Sequence, residues 1–176
     1  CVQPRLAYYA SQLEVMINNF LRNGINPNDI QILVAYSPDQ NDRTNHSDVV
    51  DLYSNLISKY SSVGFYFYKD TRVSPCYISS VRPNILKQHF KHLPELKTIP
   101  IFYHDCDVVF SKTPDFSKFL NDKIWYMSNT EGYIGSRYIL SKGEDIYLKM
   151  CEIVDIDPRI PKIMESNSGG AQYLMK

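Results

Sequence analysis

The sequence predicts an α/β domain organised around a mainly parallel central sheet, and three observations carry that expectation. Apolar runs rich in β-branched and aromatic residues recur at Ile30 to Tyr36, Val63 to Tyr68 and Ile99 to Phe110. Between them, apolar residues repeat every three to four positions, the spacing of amphipathic helices. Strands alternating with helices of this length join into parallel sheets through right-handed crossovers, and ligands bind outside the carboxyl ends of such strands.

Each element has its own local signal. A first helix is predicted from Leu6 through Leu13, Ile17 and Leu21, with Gly24 as a left-handed stop. After the Asn26-Pro27-Asn28-Asp29 turn, Ile30 to Tyr36 reads as a buried strand ended by Ser37-Pro38-Asp39. Ser47 or Asp48 caps a second helix carrying Val49, Tyr53, Leu56 and Tyr60, and Val63 to Tyr68 follows as a strand. Ser79 or Ser80 opens a third helix, with Pro83 tolerated in its first turn, that runs to Leu93-Pro94. Beyond the run at 99–110, a short helix is expected from Thr113-Pro114, a strand at Ile124 to Met127, a helix at Glu144 to Val154 and a last strand at Ala171 to Met175.

The chain has 176 residues, the size of one domain with a proper core, and residues 1–176 are read as a single domain truncated at both ends, since it opens on Cys and ends on Leu174-Met175-Lys176. Nineteen basic and nineteen acidic residues are interspersed, so no electrostatic footprint for nucleic acid or an anionic membrane is present. No run approaches eighteen apolar residues and no cleavable signal is visible, so no membrane span is expected in this segment. The four cysteines, at 1, 76, 106 and 151, form no Cys-x-x-Cys pair, which fits free thiols in a reducing, cytoplasmic setting.

The chemistry is concentrated in Phe102-Tyr103-His104-Asp105-Cys106-Asp107-Val108-Val109. On a strand, side chains at i and i+2 point to the same side, so Asp105 and Asp107 are expected to converge. Two such anions repel unless a hard cation, Mn²⁺ or Mg²⁺, lies between them with phosphate oxygens completing its shell. The plainer alternative is that these carboxylates face water or cap a helix, since Asp-x-Asp also arises by chance.

Three blocks together resemble nucleotide-sugar glycosyltransferases of the GT-A fold, most closely family 8, the group of glycogenin and the lipopolysaccharide galactosyltransferases. They are Ser80-Val81-Arg82-Pro83-Asn84-Ile85-Leu86 with Leu93-Pro94, the strand leading into Asp105-Cys106-Asp107, and Asn167-Ser168-Gly169. The chain departs from the family pattern in carrying His104 and Cys106 around the aspartates and Gly170-Ala171-Gln172 after the last block. The resemblance implies a three-layer, Rossmann-like nucleotide-diphospho-sugar transferase fold. It also implies a metal-dependent transfer of a hexose from a UDP-sugar to a carbohydrate or protein hydroxyl, with retention of configuration.

By that resemblance Asp107 binds the metal directly, Asp105 contacts the ribose or reaches the metal through water, and Arg82 pairs with diphosphate or sugar oxygens. Val2, Gln3 and Pro4 form the loop receiving the base, and Tyr8 either stacks on uracil or sits in the core. Asn167, Ser168 and Gly169 border the donor sugar, with Asn167 contacting its hydroxyls, and Gln172 is a candidate for the same cleft. Asp39 and Asp70 are either base or ribose partners or solvated turn carboxylates. The family's third metal ligand is a later His with no counterpart here, and none of His46, His89, His92 and His104 is assigned to it. An inverting enzyme would need a carboxylate base, for which Glu131, Asp155 and Glu165 are available. The rival functions are a sugar nucleotidyltransferase, disfavoured because residues 1–12 hold no glycine for a triphosphate loop, and a non-catalytic nucleotide-sugar or carbohydrate-binding module.

Overall fold

The computed structural model describes residues 7–36, 46–73, 80–167 and 169–176. The chain divides into two compact units, one taking it up to Ile99 and again from His104 to Asn121, the other Pro100–Tyr103 and Asp122–Lys176.

In the first unit, helix α1 (Ala7–Arg22) ends as its glycine predicts. Gly24 takes φ +80°, its N–H bonds Leu21 O at 3.0 Å, and Ile25 N–H reaches back to Phe20 O at 3.1 Å. This pairing satisfies carbonyls that a helix end otherwise leaves orphaned. Strand β1 (Gln31–Tyr36) pairs in parallel with β2 (Gly64–Lys69), with Val34 opposite Phe67. Helix α2 (His46–Lys59) connects them. Four consecutive β1 residues, Ile32 to Ala35, are buried because both sheet faces are covered. Ile32 and Val34 pack with α1 and α2, whereas Leu33 and Ala35 pack against Val81 and Ile85 of helix α3 (Val81–His92).

The buried stripe of α3 is Val81, Ile85 and His89, at i, i+4 and i+8. His89 is polar at a core position and is fully served there. Its Nε2 donates to Gln31 Oε1 at 2.7 Å, and its Nδ1 accepts from the Tyr68 hydroxyl at 2.8 Å. Burial first, and His92 nearby second, push its pKa down to about 4, so the ring is neutral at pH 7.

The expectation of a mainly parallel central sheet is not met. Among the described residues the parallel sheet has two strands, β1 and β2, and the remaining strands form a separate antiparallel sheet. The run at 99–110 was to supply the next parallel strand, yet only Ile101–Tyr103 (β3) is a strand, and it pairs antiparallel with β5 (Gly169–Met175), Phe102 opposite Leu174. A three-layer, Rossmann-like sheet is therefore absent from the described residues. Apolar, β-branched composition selects extended backbone but specifies neither partner nor direction, and in this run the residues after Tyr103 bond to helix-borne side chains instead of a ladder.

In the second unit, β5 is central, flanked by β3 and by β4 (Tyr126–Asn129). The β4 ladder passes from Met127 opposite Tyr173 to Ser128 opposite Gly170, so Ala171 and Gln172 bulge out. Four helices accompany the sheet: α4 (Glu131–Ile134), α5 (Ser136–Leu140), α6 (Glu144–Ile153) and α7 (Arg159–Ile163). Only α6 was expected; the helix expected at Thr113-Pro114 is instead a single tight turn at Ser117–Phe119 in the first unit. In this unit Tyr147 and Cys151 of α6 and Leu174 and Met175 of β5 are buried.

Candidate functional site

The acidic segment is fixed to the first unit by its even-numbered residues. Cys106 is buried, and Val108 and Phe110 pack against the cluster formed by α1, β1 and α2. Phe110 stacks on Phe20 with ring centroids 4.7 Å apart, and the His104 ring meets the same Phe20 edge-on at 5.4 Å. The Cys106 thiol donates to Gln12 Oε1 at 3.3 Å. Burial raises its pKa, so it is an inert packed thiol, not a nucleophile. His104 Nδ1 donates to the Asp105 carbonyl at 2.7 Å, and burial lowers the pKa of its ring.

Period-two alternation thus persists beyond the end of β3, without a ladder. Even positions face the core; Asp107 and Val109 are exposed, and Asp105 is partly exposed. Asp105 Oδ2 lies 2.8 Å from Arg82 Nη2, bringing together two residues that are 23 positions apart in sequence. The Asp105 side chain is 23% exposed and Arg82 40%, so the pair is wet on one side. The other carboxylate oxygen, Oδ1, is buried and has no hydrogen-bond partner among the described residues.

Arg82 occupies the first turn of α3, where the exit of β2 is tied down by a second ion pair. Asp70, directly after β2, receives Arg72 Nη2 at 2.6 Å and Arg72 Nε at 2.9 Å, while Arg72 Nη1 donates to Ser80 Oγ at 2.6 Å. The guanidinium holds the Asp70 carboxyl below its ordinary value, against the opposing effect of burial. Asp70 is therefore engaged within the chain. Arg72 was not singled out from the sequence; the Asp-x-Arg spacing in a turn after a strand was its one local signal.

Tyr8 is 61% exposed, and its hydroxyl accepts from Gln12 Nε2 at 2.8 Å, so it stands at the surface of α1 and not in the core. Val2, Gln3, Pro4, Asp39 and Ser168 lie outside the described residues, as do Leu6 and Ser79. Asn167 and Gly169 belong to the second unit. Asn167 ends a tight turn with its side chain exposed. Gly169 lies opposite Asn129, and a Cβ there would stand 2.6 Å from Met127 Cβ, so its missing side chain serves the β4–β5 approach. The Gln172 N–H donates to Ser128 Oγ at 3.4 Å beside the bulge.

Of the three carboxylates available as bases, Glu165 is committed to structure. It accepts from Ser136 N–H at 2.7 Å, from the Ser136 hydroxyl and from Arg137 N–H at 3.2 Å, which caps α5 and holds its own pKa low. Glu131 opens α4, and Asp155 is an exposed residue at φ +52°.

Among the described residues no group of three or more His, Cys, Asp and Glu side chains is assembled for a metal. Mg²⁺-type sites, however, commonly use one or two carboxylates and take the remaining ligands from substrate phosphates and water. Here Asp105 Oδ1 is buried and Asp107, two residues on, is exposed. No helix among the described residues is long and apolar enough to cross a membrane. No family model, curated protein or solved structure matches the chain.

Proposed function

We propose that the chain is a glycosyltransferase that moves a hexose from a UDP-sugar to a carbohydrate or protein hydroxyl, with a divalent cation, Mn²⁺ or Mg²⁺, at Asp105 and Asp107. The observation that carries this reading is the contact of Arg82 with Asp105, two residues before exposed Asp107 in the sequence. A nucleoside diphosphate with its cation calls for that set: carboxylates for the metal and a planar donor for phosphate oxygens. The likeness of the Arg82, Asp105-Cys106-Asp107 and Asn167-Ser168-Gly169 blocks to family 8 transferases supports the same substrate class.

When bound, the cation would neutralise charge developing on the departing diphosphate. Asp105 and Asp107 hold and orient it. Arg82 offers N–H donors to the same phosphate oxygens, an electrostatic contribution that grows as the leaving group gains charge. The family likeness alone assigns Val2, Gln3, Pro4 and Tyr8 to the base and Asn167, Ser168 and Gly169 to the sugar. Retention follows from the family likeness alone. The two described cysteines, Cys106 and Cys151, are buried free thiols, which supports a reducing, cytoplasmic setting.

A second reading, a nucleotide-sugar-binding module without turnover, is favoured by Arg82 already neutralising Asp105. Hydrolysis of a UDP-hexose by the chain with Mn²⁺ separates the two. The transferase reading expects slow donor hydrolysis that Asp107→Ala abolishes, and turnover unchanged in that variant removes it.

A further inference from the structure

We propose that Asn23-Gly24 is a site of spontaneous deamidation which the fold holds in check, and that its reaction loosens the seating of residues 104–110 on α1. It is the one Asn-Gly pair in the chain, and Gly24 is exposed to water. Glycine lacks a Cβ, so nothing on residue 24 screens its backbone nitrogen from the Asn23 side-chain amide. In the reaction the Gly24 nitrogen gives up its proton and bonds to Asn23 Cγ, the Cγ–Nδ2 bond breaks, and ammonia leaves carrying that proton. Water then opens the cyclic imide at one carbonyl or the other, giving aspartate or isoaspartate at position 23. Water is the co-reactant, and no electrons change hands.

Both reacting groups are engaged in the folded chain. Gly24 N–H donates to Leu21 O at 3.0 Å, which ties the attacking nitrogen into the end of α1. Asn23 Nδ2, the nitrogen that must leave, donates to Asn19 O at 2.9 Å and to Phe110 O at 3.2 Å. Thr113 Oγ1 donates to Asn23 O at 2.6 Å and steadies the backbone of the same residue. Attack therefore waits on an opening of this helix end, and such local openings occur without global unfolding.

The product cannot rebuild the arrangement. A carboxylate accepts but does not donate, so at position 23 it sets an anion against the Asn19 and Phe110 carbonyls where Nδ2 donates in the unreacted chain. Phe110 O then loses the Asn23 donor and keeps that of Asn19. An isoaspartate also adds a methylene to the main chain just before Gly24, which displaces the Gly24 and Ile25 bonds that close α1 on Leu21 and Phe20.

Incubation at mildly alkaline pH, followed by peptide mapping that resolves asparagine, aspartate and isoaspartate at position 23, tests the proposal. The samples are folded wild type, wild type in guanidinium chloride, Asn19→Ala and Thr113→Val. Conversion is expected to be slow in the folded chain and many-fold faster in denaturant. Asn19→Ala strips α1 of both its Asn19 bonds to Phe110 and is expected to speed conversion roughly 5- to 150-fold, with the denatured rate as the ceiling. Thr113→Val, the milder change, is expected to speed it less. Asn23→Asp, which builds one product directly, is expected to unfold at a lower urea midpoint than Asn23→Ala. Folded wild type reacting as fast as the denatured chain, or both variants reacting at the folded wild-type rate, overturns the restraint. Position 23 remaining asparagine in denaturant overturns the site itself, and Asn23→Asp as stable as Asn23→Ala overturns the loosening.

Discussion

Asn19 clasps the backbone of Phe110 from both sides: its Oδ1 accepts from Phe110 N–H at 2.7 Å and its Nδ2 donates to Phe110 O at 2.9 Å. One side chain on α1 thereby replaces the strand neighbour that this segment lacks, and it sets where the chain carrying Asp105 and Asp107 lies on the first unit. Asn23 adds a second donor to the same carbonyl at 3.2 Å. Asn19→Ala is therefore expected to remove both hydrogen bonds to the Phe110 backbone and to lower stability by about 1–3 kcal/mol. Asn23→Ala should cost less, because the carbonyl keeps Asn19. Urea unfolding of the two variants checks the order, and equal losses would contradict it.

Acid should weaken the chain through His89 before its carboxylates titrate. The unfolded chain takes up a proton at the ordinary histidine value of 6.5, whereas the folded chain does so only at about 4. The contribution of the neutral ring is thus fully present above about pH 6.5 and is lost progressively as pH falls toward 4, amounting at most to roughly 3 kcal/mol. His92 and Glu95 are the charged neighbours, the first lowering and the second raising the His89 value. Unfolding measured between pH 7 and 4 should show a shallower slope in His89→Gln than in wild type. The variant should nevertheless start lower, since Tyr68 and Gln31 lose their partner.

Gly132 and Gly135, three positions apart in the second unit, should respond oppositely to a methyl group. A Cβ on Gly135 would meet Glu131 O and Glu165 Oε1, each at 2.6 Å. Its φ of −64° suits any residue, so the penalty is crowding, about 1–3 kcal/mol for an overpacked site. Gly132 has nothing within 4 Å of such an atom and no positive φ, and Gly132→Ala inside α4 should stabilise by roughly 0.4–1 kcal/mol. Thermal melts of the two variants moving in the same direction would contradict this description of the Glu165 cap.

The first half of the chain was legible because each signal was local. The three-to-four spacing on α1, Gly24 after it, the continuous apolar run of β1 and Pro83 in the first turn of α3 all act within a few residues of themselves. Ile99 to Phe110 was misread because its period-two pattern is genuine, yet the pattern does not say what satisfies the backbone. Phe102 found Leu174, over seventy residues away, and Phe110 found an asparagine on a helix. Helix α5 was missed for the same reason: Glu165, distant in sequence, supplies the cap that Ser136 lacks locally. At the candidate site, Asp105 and Asp107 stood out by residue type alone. The approach of Arg82 to Asp105 was not encoded in spacing, and the partner of Asp70 was two residues away but passed over.

The central claim is that Asp105 and Asp107 hold a divalent cation together with a nucleoside diphosphate, and thermal unfolding of the chain with Mn²⁺, with UDP and with both tests it most directly. A ligand pair held only by the folded state at one hundred times its dissociation constant adds about 2.7 kcal/mol, a rise of roughly 5–10 °C for a chain of this size. The account predicts that rise with Mn²⁺ and UDP together, little with either alone, and none in the Asp105→Asn, Asp107→Asn double variant. A midpoint that both ligands together leave unmoved, or that moves equally in the double variant, would contradict it.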